Sequence, residues 1–227
     1  MAARTSVVTP FGEPVRWEIA SMGAVLGIWI LFTAVGMVFG ALYFNVVAQA
    51  ALFGKVTWRE ALSQWPWACL QVGLLSLIWV ALLLAVFLPF SCFLSVFLFS
   101  GIGLEQISLF VILIFAGFLI WMLIPLAFSP HGIFVNRHAM WISILRSIRL
   151  TRMTLPTTSL LLLAVLILSE GLDVIWNIPG ETSWFTIVGI IGHAFVTSSL
   201  LAASFVYYRD ASTWAEEVLK ARVLSAH

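Results

Sequence analysis

The chain has 227 residues and a formal net charge of +1, with 62% hydrophobic and only 9% charged residues; its mean hydropathy is +1.10. Soluble domains carry charge on about a quarter of their residues, so a large water-facing domain is excluded. Five stretches, 19–54, 61–104, 106–136, 153–169 and 182–208, contain no Asp, Glu, Lys or Arg and together hold 155 of the 227 residues. A crossing needs about 20 mostly apolar residues, and a charge at its centre costs at least about 2.5–3.5 kcal/mol. The expectation is therefore an all-α integral membrane protein with five transmembrane helices and one amphipathic surface helix.

Residues 1–18, with Pro10, Gly12 and Pro14 among charges of both signs, read as an irregular leader. The first span is placed at 21–45 within a longer apolar run. Gly23, Gly27, Gly36 and Gly40 recur there in two four-residue pairs, a pattern that lets another helix approach closely. Lys55, Arg59 and Glu60 form a polar elbow, and a second span at 66–88 follows. Pro89 is expected to kink or end it, with a turn at Gly101 and Gly103. The third span, 106–128, should stop at Ser129-Pro130-His131-Gly132. Cys69 and Cys92 lie near opposite ends of the second helix, roughly 35 Å apart at 1.5 Å per residue, and cannot pair with each other.

An amphipathic surface helix is predicted over 136–153, with Met140, Trp141, Ile144, Leu145 and Ile148 on one side and His138, Ser143, Arg146, Ser147 and Arg149 on the other. A fourth span at 155–175 turns at Asn177-Ile178-Pro179-Gly180. The fifth covers 184–207, and 209–227 reads as a short polar C-terminal helix. The membrane domain thus occupies 19–208. A six-crossing version would require the first apolar run to fold as a hairpin, and no polar turn marks one.

With five crossings, Lys55, Arg59, Arg137, Arg146, Arg149, Arg152, Arg209, Lys220 and Arg222 share one side, nine of the eleven basic residues. The positive-inside rule puts them in the cytoplasm. The expectation is a multi-pass protein of the cell membrane with its N-terminus outside and its C-terminus cytoplasmic.

The segment Leu145-Arg146-Ser147-Ile148-Arg149-Leu150-Thr151-Arg152 resembles the basic elbow, with a Ser-x-x-Leu-Thr core, of a broad group of uncharacterised bacterial multi-span proteins. That group includes the membrane domain attached to some glycerophosphoryl diester phosphodiesterases. The resemblance covers roughly 55–210 and implies tandem pairs of spans joined by amphipathic elbows. Hydrolysis would need a catalytic domain outside the membrane, so the resemblance implies a membrane module without that activity.

Arg146, Arg149 and Arg152 are candidates for anionic lipid headgroups, each basic residue near the surface being worth about 1 kcal/mol. Glu170 and Asp173, three apart on one face of the fourth span, form with His193 of the fifth a candidate intramembrane polar site. His193, with Gly189 and Gly192 beside it, is also the candidate axial ligand in an alternative with haem or a chlorophyll-type pigment as cofactor. No nucleophile elbow, phosphate loop or metal-ligand spacing is present. The residues therefore point to a protein that is not an enzyme, has no cofactor or metal, and is an accessory or scaffolding subunit whose partners are the lipid bilayer and other membrane chains, with no nucleic acid. A small transporter or lipid-handling protein is the other alternative.

Overall fold

The computed structural model describes residues 19, 21–99, 104–176, 178 and 183–225. The leader, the Gly101–Gly103 turn, the side chain of Glu105, most of the 177–180 turn and Glu181 lie outside the described residues. Every regular element among them is helical: α1 (Met22–Phe53), α2 (Trp58–Phe99), α3 (Leu104–Leu123), a 3-10 turn (Ile124–Leu126), α4 (Ser129–Asn136), α5 (Met140–Met153), α6 (Leu155–Trp176) and α7 (Phe185–Ser225). Five helical stretches are long and apolar enough to cross a membrane.

Three of the expected spans are longer than drawn. α1 continues to Phe53, where Gly54 closes it in the left-handed region at φ 66° and its N–H donates to Ala50 O. α2 passes through Pro89 to Phe99. An apolar surrounding explains this continuity: ending the helix would strip a whole turn of its hydrogen bonds, whereas continuing forfeits only the bond that proline cannot donate. α7 runs unbroken into the polar segment, so the fifth span and the C-terminal helix are one rod of 41 residues.

The third span departs most from expectation. It breaks into a 3-10 turn at Pro125, and Ser129-Pro130-His131-Gly132 opens α4 instead of ending the helix. α4 is the centre of the packed region: Phe128 is 2% exposed, Ser129 0% and Ile133 1%. Phe44 of α1, Leu75 of α2, Ser143 of α5 and Phe205 with Tyr208 of α7 surround it.

The buried face of α5 also differs from the predicted division. Ser143, Ser147 and Thr151 are fully buried with Met140, Ile144 and Leu150, while Trp141 and Leu145 stand exposed. The cause lies in the broken third span, whose freed backbone groups need partners in a site without water. Ser147 Oγ donates to Pro125 O at 2.8 Å and accepts from Phe128 N at 3.2 Å; Ser143 Oγ donates to Ser129 O. Gln71 of α2 accepts the N–H of Met140 at 2.9 Å and so holds the start of α5.

α1 and α2 meet along Ala41 and Ala48 on one side and Ala61 and Ala68 on the other, all 0–3% exposed. The seven-residue spacing keeps these small side chains on one seam, where backbones approach closely. Asn45 lies within that seam and donates to Ala61 O at 3.1 Å.

The packed core occupies one end of the bundle. No described residue between 76 and 127 is buried, and Gly189 is the one buried residue described between 159 and 204. At the opposite end the helices meet through isolated contacts, such as the Phe90–Phe115 stack at 3.7 Å. Cys69 and Cys92 are both free thiols.

Candidate functional site

The packed end is also the basic end. The 54–57 elbow, the turn after α4, α5 and the polar end of α7 come together there, as the Glu60–Arg137 and Arg146–Glu216 ion pairs record.

Between the end of α1, the start of α2 and the end of α4 lies a cleft of about 340 Å³. Its lining combines polar side chains, Asn45, Gln49, Thr57 and Gln64, with apolar ones, Leu52, Phe53, Phe134 and Val135. Gln49 is 7% exposed. Its Oε1 accepts from Thr57 N at 3.0 Å and from Thr57 Oγ1 at 3.3 Å. Thr57 and Glu60 occupy the Thr-x-x-Glu spacing of a helix-capping box. Here the single hydroxyl proton of Thr57, at 3.3 Å from both Gln49 Oε1 and Glu60 Oε2, serves one of the two acceptors at a time, and Gln49 takes the N–H that the glutamate would ordinarily hold.

At the mouth, Arg137 donates to Glu60. Glu60 precedes the charge-free stretch and lies outside the membrane-crossing part of α2. The hydrogen bond from Arg137, followed by that from Thr57, holds its carboxyl below the usual range. Arg137 ends α4 at φ 51°, the only positive φ at a residue other than glycine among those described, a conformation that costs an L-residue roughly 1–2 kcal/mol. The next N–H, of His138, donates to Gly132 O at 3.2 Å. Lys55 lines the cleft as well.

The predicted arginines divide. Arg146 and Arg149 line a small groove of about 110 Å³ against Tyr208, Ser212 and Glu216 of α7, with Arg146 Nη1 at 3.6 Å from Glu216 Oε1. Arg152 is exposed outside it. His138, in the turn before α5, has its pKa lowered by burial and then by Arg146, with Glu216 opposing.

At the opposite end, Asp173 and His193 are brought together, Oδ1 to Nδ1 at 3.7 Å, both about half exposed. Glu170 is exposed on the same helix. Trp176 lies against the glycines that precede His193: a β-carbon at Gly192 would lie 2.6 Å from the Trp176 ring, and one at Gly189 would lie 2.8 Å from Trp176 O. The two glycines therefore seat the tryptophan.

Sequence reasoning passed over a deeper histidine. His131 of α4 is 8% exposed, bonds Ser204 Oγ through Nε2 at 2.8 Å and is ringed by Phe128, Phe205 and Tyr208. Its neighbours Pro130 and Gly132 suggested a loop, which hid it. Gln49 was likewise given no role in a site, although an amide in a membrane segment is itself a signal.

No family model, curated protein or solved structure matches this chain.

Proposed function

We propose that the protein is a non-catalytic integral membrane subunit, an accessory or scaffold whose packed basic end faces the cytoplasm and whose opposite end is covered by other membrane chains and lipid. One observation carries this reading: in each of the five spanning stretches no more than 6% of the residues in an apolar 18-residue window are buried within the chain. Lipid tails solvate such surfaces without driving helices together, so a bundle this open at one end is held by packing to something further. The two glycine pairs of α1 support the reading, because Gly23, Gly27, Gly36 and Gly40 have nothing within 4 Å of an added β-carbon. The family resemblance agrees with a module of this kind, since Ser147, Leu150 and Thr151 of the Ser-x-x-Leu-Thr core are buried packing residues.

Photo-crosslinking residues at Leu84, Phe118, Leu166 and Phe195, all exposed in the open half, test the proposal in native membranes. Discrete protein adducts of constant mass are expected from these positions and not from Trp214 at the basic end. A protein that gives only lipid adducts and purifies in mild detergent as a lone monomer would sink the subunit reading.

A further inference from the structure

The cleft at the basic end is lined by more hydrogen-bonding capacity than the fold consumes. Thr57 fixes the Gln49 carbonyl oxygen from one side, which turns the amide NH2 of this nine-tenths-buried residue the other way, and it has no protein partner among the described residues. Arg137 presents five donors and commits one nitrogen to Glu60. Lys55 carries no ion pair among the described residues, so the cleft holds one cation in excess once Glu60 and Arg137 neutralise each other.

We propose that this cleft is a binding site for a phosphate-bearing anion, held by Lys55, the Gln49 amide and the free side of the Arg137 guanidinium. Planar Arg donors and a flexible ammonium together suit phosphate oxygens. The one carboxylate in the lining is already paired, so it does not repel the ligand as a free one would. At about 340 Å³ the cleft falls at the small end of ligand sites, about 300–1,000 Å³. Trp58, 62% exposed, and Trp67, 36% exposed, both follow the elbow in the first turns of α2, the residue type that aromatic belts place beside headgroups. The apolar side chains of the lining, Leu52, Phe53, Phe134 and Val135, would contact the ester-linked part of a phospholipid. The site is distinct from Arg146, Arg149 and Arg152, and it stands independently of the subunit reading.

The test uses the full-length protein in detergent, with native mass spectrometry to read retained lipid and phosphatidylglycerol or phosphate-free diacylglycerol as probes. Wild type should retain one phosphatidylglycerol in preference to diacylglycerol. Lys55→Gln, a change at an exposed residue, should weaken retention about fivefold, the factor one basic residue near an anionic surface supplies. Leu52→Trp, which enlarges a side chain lining the cleft, should abolish retention, and Arg146→Gln with Arg149→Gln should leave it intact. Displacement of the lipid by millimolar inorganic phosphate would support the site with a soluble phosphate as its natural ligand; Lys55-dependent lipid retention that phosphate cannot displace would support it with a headgroup. Equal retention of the two lipids, an unaffected Lys55→Gln protein, or loss of retention in the double arginine variant would overturn the proposal.

Discussion

Gly132 lies so close to Ser143 that a β-carbon on the glycine would sit 2.2 Å from the serine Oγ and 3.0 Å from the Tyr208 hydroxyl. Neither neighbour can simply withdraw, because Ser143 is fully buried and bonded to Ser129 O. Gly132→Ala should therefore separate α4 from α5 and α7, at a cost of about 1–3 kcal/mol for overpacking. A lowered thermal midpoint in detergent checks this. An unchanged midpoint would mean that the three helices pack less closely than described.

Ser147 closes the break in the third span from both sides, giving to Pro125 O and accepting from Phe128 N. Ser147→Ala leaves both groups unpaired inside the protein and should cost about 1–3 kcal/mol. Ser91 donates only to Leu88 O on its own helix, so Ser91→Ala is the matched control and should fall within about 0.5 kcal/mol of wild type. Equal losses in the two variants would remove the special role of Ser147.

The left-handed backbone at Arg137 separates strain from charge. Arg137→Gly and Arg137→Ala both lose the pair with Glu60, but only glycine relieves the conformation at φ 51°. After the greater chain entropy of unfolded glycine is set against that relief, Arg137→Gly should be the more stable of the two by about 1 kcal/mol. Paired denaturation curves measure the difference.

Acid should destabilise the protein partly through His138. Burial and Arg146 lower its folded pKa below the ordinary 6.5, and its Nε2 is buried without a hydrogen-bond partner. Below about 6.5 the unfolded chain takes up a proton that the folded protein resists, so stability is fully present above that range and declines as pH falls through it. His138→Gln should remove this component. The variant's melting temperature should then fall less than that of wild type between neutral pH and pH about 5.5; parallel curves would contradict the assignment.

At the open end, Gly189 and Gly192 should respond unequally. A methyl group at Gly192 meets the Trp176 ring, which can swing aside, whereas one at Gly189 meets the Trp176 carbonyl oxygen, which cannot. Gly189→Ala should thus cost about 1–3 kcal/mol and Gly192→Ala less. The latter should be reported chiefly by a shifted tryptophan emission. Asp173 and His193 are half exposed, so Asp173→Asn should change stability by less than about 1 kcal/mol.

Solvent, span count and the gathering of the basic side chains were legible in the sequence, because each follows from local composition. Charge-free runs allow no other placement, and Lys55, Arg59, Arg137 and Arg146 fall at one end as their positions between spans require. The Ala41, Ala48, Ala61 and Ala68 seam was present at seven-residue spacing but overshadowed by the four-residue glycine pairs, which face open space in this chain. At Pro89 the helix does not end, because in an apolar surrounding a freed backbone group finds no other partner, while Ser129-Pro130, expected as a stop, instead opens α4 with proline in its first turn.

The sequence by itself determined that the chain forms five helical stretches long and apolar enough to cross a bilayer and carries its positive charge at one end, since hydrophobicity and charge act residue by residue. Only the tertiary structure decided that α4 is the core, that Ser143 and Ser147 face inward, that Trp176 packs on Gly189 and Gly192, and that Gln49, Lys55 and Arg137 meet around one cleft. Those outcomes depend on which backbone groups are left unpaired where a helix breaks and on which side chain from elsewhere in the chain reaches them. No local pattern of residues encodes that pairing.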